Sequence, residues 1–190
     1  MKDLIRSLES VGVKFEKGLC ERDFKRIKEI YGITFPEVWK RFYKAGLPVS
    51  IKKDEKKLSS PMPFPIWNDY SEENVERIKT KMKKPYEWLK SDVLASFDSN
   101  KPFWLKDWGT LPETQEEASL RLDELIKTAP VLIPVYSHRY VPMLENIIDP
   151  PVISTVGMDT IMYGKNQFDY LQNEFVKPKI EPIPFWNSLL

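Results

Sequence analysis

The feature that most limits what this chain can fold into is a change of period at Pro130. Before it, apolar side chains recur at steps of three and four residues; after it, short runs rich in β-branched residues are separated by turn formers. Helical spacing on one side and strand runs on the other predict an α+β fold, with helices packed on a curved, largely antiparallel sheet. A chain of 190 residues buries roughly two thirds of its unfolded surface, enough for one core without staples. Residues 1–190 are therefore read as a single domain.

The helical part divides at its punctuation. Leu4, Leu8 and Val11 share one face of a helix predicted over Lys2–Ser10. Phe24, Ile27, Ile30 and Tyr31 define a second from Glu21, which Gly32 ends as a left-handed cap. Pro36 opens a third carrying Val38, Trp39 and Phe42, and Gly46 closes it. The helical phase assigns Trp39 to the core. Ser71 caps a helix with Val75, Ile78 and Met82, which Pro85 ends or kinks before Tyr86, Trp88 and Leu89. Thr110-Leu111-Pro112-Glu113 matches a capping box opening the helix of Ala118, Leu122, Leu125 and Ile126.

Beyond Pro130, strands are predicted over 131–136 and 139–143 around a turn at Ser137-His138, with Pro134 and Pro142 marking edges or bulges. Residues 152–155 and 160–163 flank Gly157 as a hairpin or a bent strand, and Asn166 caps a last helix bearing Phe168, Leu171 and Phe175. Two stretches fit neither period. Residues 47–70 hold the charge run Lys52-Lys53-Asp54-Glu55-Lys56-Lys57 and then Pro61, Pro63 and Pro65, which predicts an exposed excursion. The tail at 176–190, with Pro178, Pro182 and Pro184 before Phe185 and Trp186, is too apolar for a free linker and is expected to dock.

Composition then excludes several functions. Cys20 is the only cysteine, so no internal disulfide forms and a reducing compartment is favoured. The charged start, Met1 to Arg6, lacks the apolar stretch of a secretory signal. The longest apolar run, Ala129 to Tyr136, contains two prolines and is too short to cross a bilayer. A cytoplasmic protein with no membrane partner is expected. Lys and Arg total 29 against 28 Asp and Glu, a net +1 that gives no support to nucleic-acid binding. The local basic stretch (Arg77, Lys79, Lys81, Lys83, Lys84) and acidic stretch (Glu113, Glu116, Glu117, Asp123, Glu124) read as solvated helix faces.

No catalytic or metal-binding constellation is legible. His138 is the only imidazole, and although Ser137 or Ser154 with Asp159 complete a nominal triad, no nucleophile-elbow pattern places either serine. One His and one Cys cannot ligate zinc, no acidic calcium loop occurs, and the seven glycines never cluster into a phosphate cradle. No cofactor and no metal are expected. Trp67, Trp104 and Trp108 stand in irregular segments, where an aromatic side chain either pins the loop or meets a partner.

Two stretches, Tyr31-Gly32-Ile33-Thr34-Phe35-Pro36-Glu37-Val38-Trp39-Lys40-Arg41-Phe42-Tyr43 and Leu132-Ile133-Pro134-Val135-Tyr136-Ser137-His138-Arg139-Tyr140-Val141-Pro142, together resemble the SUKH superfamily, which includes the fungal Smi/Knr cell-wall-assembly regulators and many bacterial immunity proteins. Trp108-Gly109 and the run from Gly157 to Gly164 look like that family's sheet region, so the resemblance spans about residues 20 to 175. It implies an α+β fold, no catalysis, and binding of a cognate toxin.

The leading expectation is thus a non-catalytic, immunity-type protein, monomer or weak dimer, with one protein partner, a toxin domain. Its binding residues would be Trp67, Trp104 and Trp108 as anchors, with His138, Arg139 and Tyr140 shaping the sheet edge. An enzyme or small-ligand pocket around His138, Arg139 and Asp159 is the rival, and a regulator-type scaffold is the third reading. Arg139 and Asp159 are expected to lie close together, since they fall in neighbouring strands.

Overall fold

The computed structural model describes residues 1–52, 64–99 and 101–176. The elements are α1 (Lys2–Ser10), β1 (Val13–Glu16), α2 (Glu21–Tyr31), α3 (Glu37–Ala45), β2 (Leu47–Ile51), α4 (Glu72–Ser96), α5 (Gln115–Thr128), β3 (Leu132–Tyr136), β4 (Arg139–Pro142), β5 (Val152–Val156), β6 (Asp159–Gly164) and α6 (Gln167–Phe175). The α+β class and the antiparallel pairing follow the sequence expectation. Among the described residues, however, there are two sheets, a β1-β2 ribbon and a meander ordered β3-β4-β5-β6.

The ribbon corrects the reading of 47–70 as an exposed excursion. Leu47–Ile51 pairs antiparallel with Val13–Glu16, and Leu47 and Ile51 are buried. Pro48 is tolerated because it lies opposite Phe15, at the register shift of a two-stranded sheet whose outer groups need no ladder partner. Phe64 and Trp67 are buried as well. Most of the charge run, with Pro61 and Pro63, lies outside the described residues, as does the tail from residue 177 with Phe185 and Trp186.

The main core is aromatic. Trp39 and Tyr43 of α3 and Tyr170 of α6 meet at its centre, with the Trp39 ring 5.9 Å from Tyr43 and 6.0 Å from Tyr170. Trp67 adds edge-on contacts to Tyr31 at 5.6 Å and Phe35 at 5.1 Å. Each such pair contributes about 1 kcal/mol beyond area burial. Gly32 ends α2 at φ 70, as the left-handed cap predicted. The start of α5 is four residues later than the sequence reading had it. Thr114 is the N-cap, its hydroxyl accepting from the Glu117 amide at 3.2 Å, because Thr114 and Glu117 form a second Thr-x-x-Glu frame that suits the helix.

Pro85 neither ends α4 nor divides it: the helix runs for 25 residues through the proline. A proline leaves the carbonyl four residues earlier, here that of Lys81, without its amide donor. The Tyr140 hydroxyl of β4 supplies the substitute, donating to the Lys81 carbonyl at 3.3 Å. α4 therefore packs on one face of the meander. Successive strand residues point to opposite faces, and Arg139 accordingly reaches Glu174 of α6 on the other.

Candidate functional site

A concave feature with polar and aromatic lining lies where α4 meets the two hairpin turns of the meander. Ser71 begins the helix by accepting from the Asn74 amide at 3.4 Å, and the Asn74 side chain donates to the carbonyls of Ile66 and Asp69 at 2.9 and 2.5 Å. That clasp holds the Phe64–Trp67 segment against the helix. At the other side, Ser137-His138 makes a two-residue turn between Tyr136 and Arg139, with Ser137 at φ 48. The β5–β6 turn at Gly157 is fixed by Asp92 of α4, whose carboxylate accepts from the Met158 amide at 3.0 Å. Gly157 has φ 60, and a Cβ there would stand 1.7 Å from the Asp92 Oδ2, so any other residue would be strained and would displace the Asp92 carboxylate.

Between these parts runs an open groove of about 530 Å³. Arg77, Lys81, Lys84 and Trp88 of α4 form one wall and Ser137, His138 and Tyr140 the other. Burial pushes the Lys81 ammonium down to about 8, and the like charges of Arg77 and Lys84 push it the same way. His138 is also held below its ordinary value, first by burial and then by the charge of Arg139, so it is neutral at pH 7. The Ser137 hydroxyl lies 3.1 Å from the His138 Nδ1. This is a serine–imidazole contact between chain neighbours; Asp159, the orienter a triad would need, is exposed at the start of β6.

The sequence-predicted site residues separate into three groups. Trp67, expected as a surface anchor, is 0% exposed, because the Asn74 clasp turns its loop inward among Tyr31 and Phe35. Tyr140 is 1% exposed, and its hydroxyl is committed to the Lys81 carbonyl. Both are structural, which corrects their assignment to a partner surface. Burial raises the Tyr140 hydroxyl to about 12, so it stays protonated and able to donate.

Arg139 is likewise committed, and not to Asp159. Its Nε donates to Glu174 Oε2 at 3.0 Å, its Nη1 to Ser154 Oγ at 2.9 Å, and its guanidinium stands 3.9 Å over the Tyr163 ring. The expected Arg139–Asp159 pair is replaced by this one, since Glu174 comes from the helix packed on Arg139's own face of the sheet. Trp104 and Trp108 remain half-exposed in the α4–α5 loop, packed edge to face at 5.3 Å and away from the groove. His138 alone of the predicted set lines the groove with its side chain still accessible.

Sequence reasoning missed Lys81, which it read as part of a solvated basic face. The signal was present: Lys81 follows buried Ile78 by three residues and precedes buried Pro85 by four, which places it on the inward face of α4. Asn74, buried at the same helical phase, carried the same signal.

Among the described residues no cluster of three His, Cys, Asp or Glu could hold a metal ion, and no helix is long and apolar enough to cross a membrane. Compared with family models, with curated proteins and with solved structures, the chain has no match in any of the three.

Proposed function

We propose that this chain is a non-catalytic protein-binding domain of the immunity type, which neutralises one cognate protein, a toxin domain, by docking it along β6. The observation that carries this reading is an apolar edge. β6 is the last strand of the meander, and it presents Ile161 at 53% and Met162 at 65% exposure. Val156 and Met158 at the β5–β6 turn and Phe168 of α6, 60% exposed, are further exposed apolar side chains on the elements that flank β6.

An edge strand with large apolar side chains is an aggregation hazard unless something covers it, and soluble proteins ordinarily blunt such edges with charge or proline. A partner strand added to β6 would satisfy its outer backbone groups and bury Ile161 on one face and Met162 on the other. The SUKH resemblance supports the partner being a toxin. Trp104 and Trp108 are retained as aromatic contacts, while Trp67 and Tyr140 leave the binding set because they are buried.

The test is co-expression with the products of adjacent genes, followed by affinity of the purified pair for wild type and for Ile161→Asp/Met162→Asp. The reading expects a one-to-one complex with a protein that is toxic when expressed alone. It also expects the double substitution to weaken binding by about a hundredfold, with an unchanged melting temperature, as loss of central apolar contacts does. Undiminished binding by the double variant overturns the β6 surface. A dimer of this chain that the same substitutions dissolve would replace the toxin with a second copy.

A further inference from the structure

The centre of the aromatic core carries an inference of its own, independent of the β6 reading. Trp39 and Tyr170 are 2% and 1% exposed, yet the Trp39 Nε1 and the Tyr170 hydroxyl each lack a hydrogen-bond partner among the described residues. A polar group buried in this way gives up its bonds to solvent and gains nothing in exchange, so each one calls for a cause. Packing supplies none at position 170. Phe42, Phe64 and Phe175 stand on the same wall of the core as bare rings, and a bare ring at 170 would fill space equally well without a hydroxyl to satisfy.

A small cavity of about 10 Å³ lies among these side chains. It forms where α1, the β1-β2 ribbon, α3, the meander and α6 converge, with Leu8, Pro48 and Val135 on its wall beside Trp39 and Tyr170. Of the described residues on that wall, only Trp39, Tyr43 and Tyr170 carry a polar side-chain atom, and none carries a charge. Such a volume is about the least that holds one water molecule, and it is far too small for an organic ligand. An ion is ruled out by the chemistry of the wall, since no opposite charge there would offset its desolvation.

We propose that a single buried water occupies this cavity and joins α3 to α6, accepting hydrogen bonds from the Trp39 indole N–H and the Tyr170 hydroxyl. The donor count favours it. An indole nitrogen can only donate. Burial raises the Tyr170 hydroxyl well above its ordinary value, so it too keeps its proton and needs an acceptor. The two groups do not bond each other, and water offers one lone pair to each. Its own protons are left for the Tyr43 oxygen and the faces of the surrounding rings. The site thus explains both orphaned donors, and the hydroxyl at 170, with one molecule.

Two measurements on the full chain test this. A crystal structure fine enough to place ordered solvent needs no variant, and it should show one water within about 3 Å of both the Trp39 Nε1 and the Tyr170 hydroxyl oxygen. Calorimetry of Tyr170→Phe then reads the sign of the hydroxyl's contribution. That substitution keeps the ring and its contacts with Trp39 and Tyr163. If the hydroxyl holds a water, its removal leaves the water and the Trp39 indole short of a partner, and the melting temperature should fall by roughly 2–4 °C. If the hydroxyl bonds nothing, removing it relieves a buried unsatisfied group, and the melting temperature should hold or rise. An empty cavity in the crystal, or a Tyr170→Phe protein that melts at or above wild type, would overturn the proposal.

Discussion

The loops at the two ends of α4 both carry tryptophan in irregular backbone, yet they end in opposite environments. Before the helix, Trp67 is fully buried against Tyr31 and Phe35, and the Asn74 side chain holds the backbone beside it through two carbonyls. After the helix, the Trp108 ring packs on Trp104 and on Phe103, and the side-chain bonds from the Phe103 amide to Ser96 Oγ at 2.8 Å and from Ser99 Oγ to the Ser96 carbonyl at 2.6 Å tie the loop to α4. The difference teaches that a loop aromatic is taken into the core when a buried polar side chain satisfies the loop's backbone. Without that, carrying the loop inward would strand its carbonyls.

The contrast is broken most severely at Trp67. Trp67→Ala should cost about 4 kcal/mol, the range for deleting a buried tryptophan, and lower the melting temperature by roughly 8–16 °C in calorimetry. Asn74→Ala should follow at about 2–3 kcal/mol, because two carbonyls lose their donor at once. If Asn74→Ala costs less than about 1 kcal/mol, the clasp is not what turns the first loop inward. The double change Trp104→Ala/Trp108→Ala should cost less, about 2 kcal/mol, since both side chains are only partly buried. A loss as large as that of Trp67 would place the second loop in the core too.

Between the two loops, the middle of α4 supplies a pH-dependent control. Lys81 titrates near 8 in the folded chain against about 10.4 when unfolded, so the unfolded chain holds more protons between those values. Stability should therefore rise as pH goes from about 8 to about 10.4, by at most about 3 kcal/mol and less where solvent screens the amine. Lys81→Met should remove this slope in urea titrations across that range. The smallest effect belongs to Ser96→Ala, about 1 kcal/mol, confined to hydrogen exchange in the second loop.

What the sequence disclosed and what it hid follow a physical division. The bounds of α1 and α2 were readable because periodicity and the Gly32 cap are local. β1 and β2 were not, since runs of four and five residues carry too little pattern, and Leu47 and Ile51 take their meaning from a strand some 35 positions earlier. His138 was found as a groove residue because it is the sole imidazole. Its surroundings were misjudged: the Glu174 that occupies Arg139 and the Asn74 that buries Trp67 act through tertiary contacts that no spacing rule foretells.

The Tyr140 hydroxyl on the Lys81 carbonyl has a consequence for how the chain assembles. A free peptide spanning α4 would have a gap in its hydrogen-bond ladder one turn before Pro85, and the residue that closes it lies 59 positions downstream. Docking of the β3–β4 hairpin therefore supplies a hydrogen bond that α4 cannot make from its own backbone. Parting the β3–β4 hairpin from α4 would thus both reopen that gap in the helix and separate the two walls of the cleft.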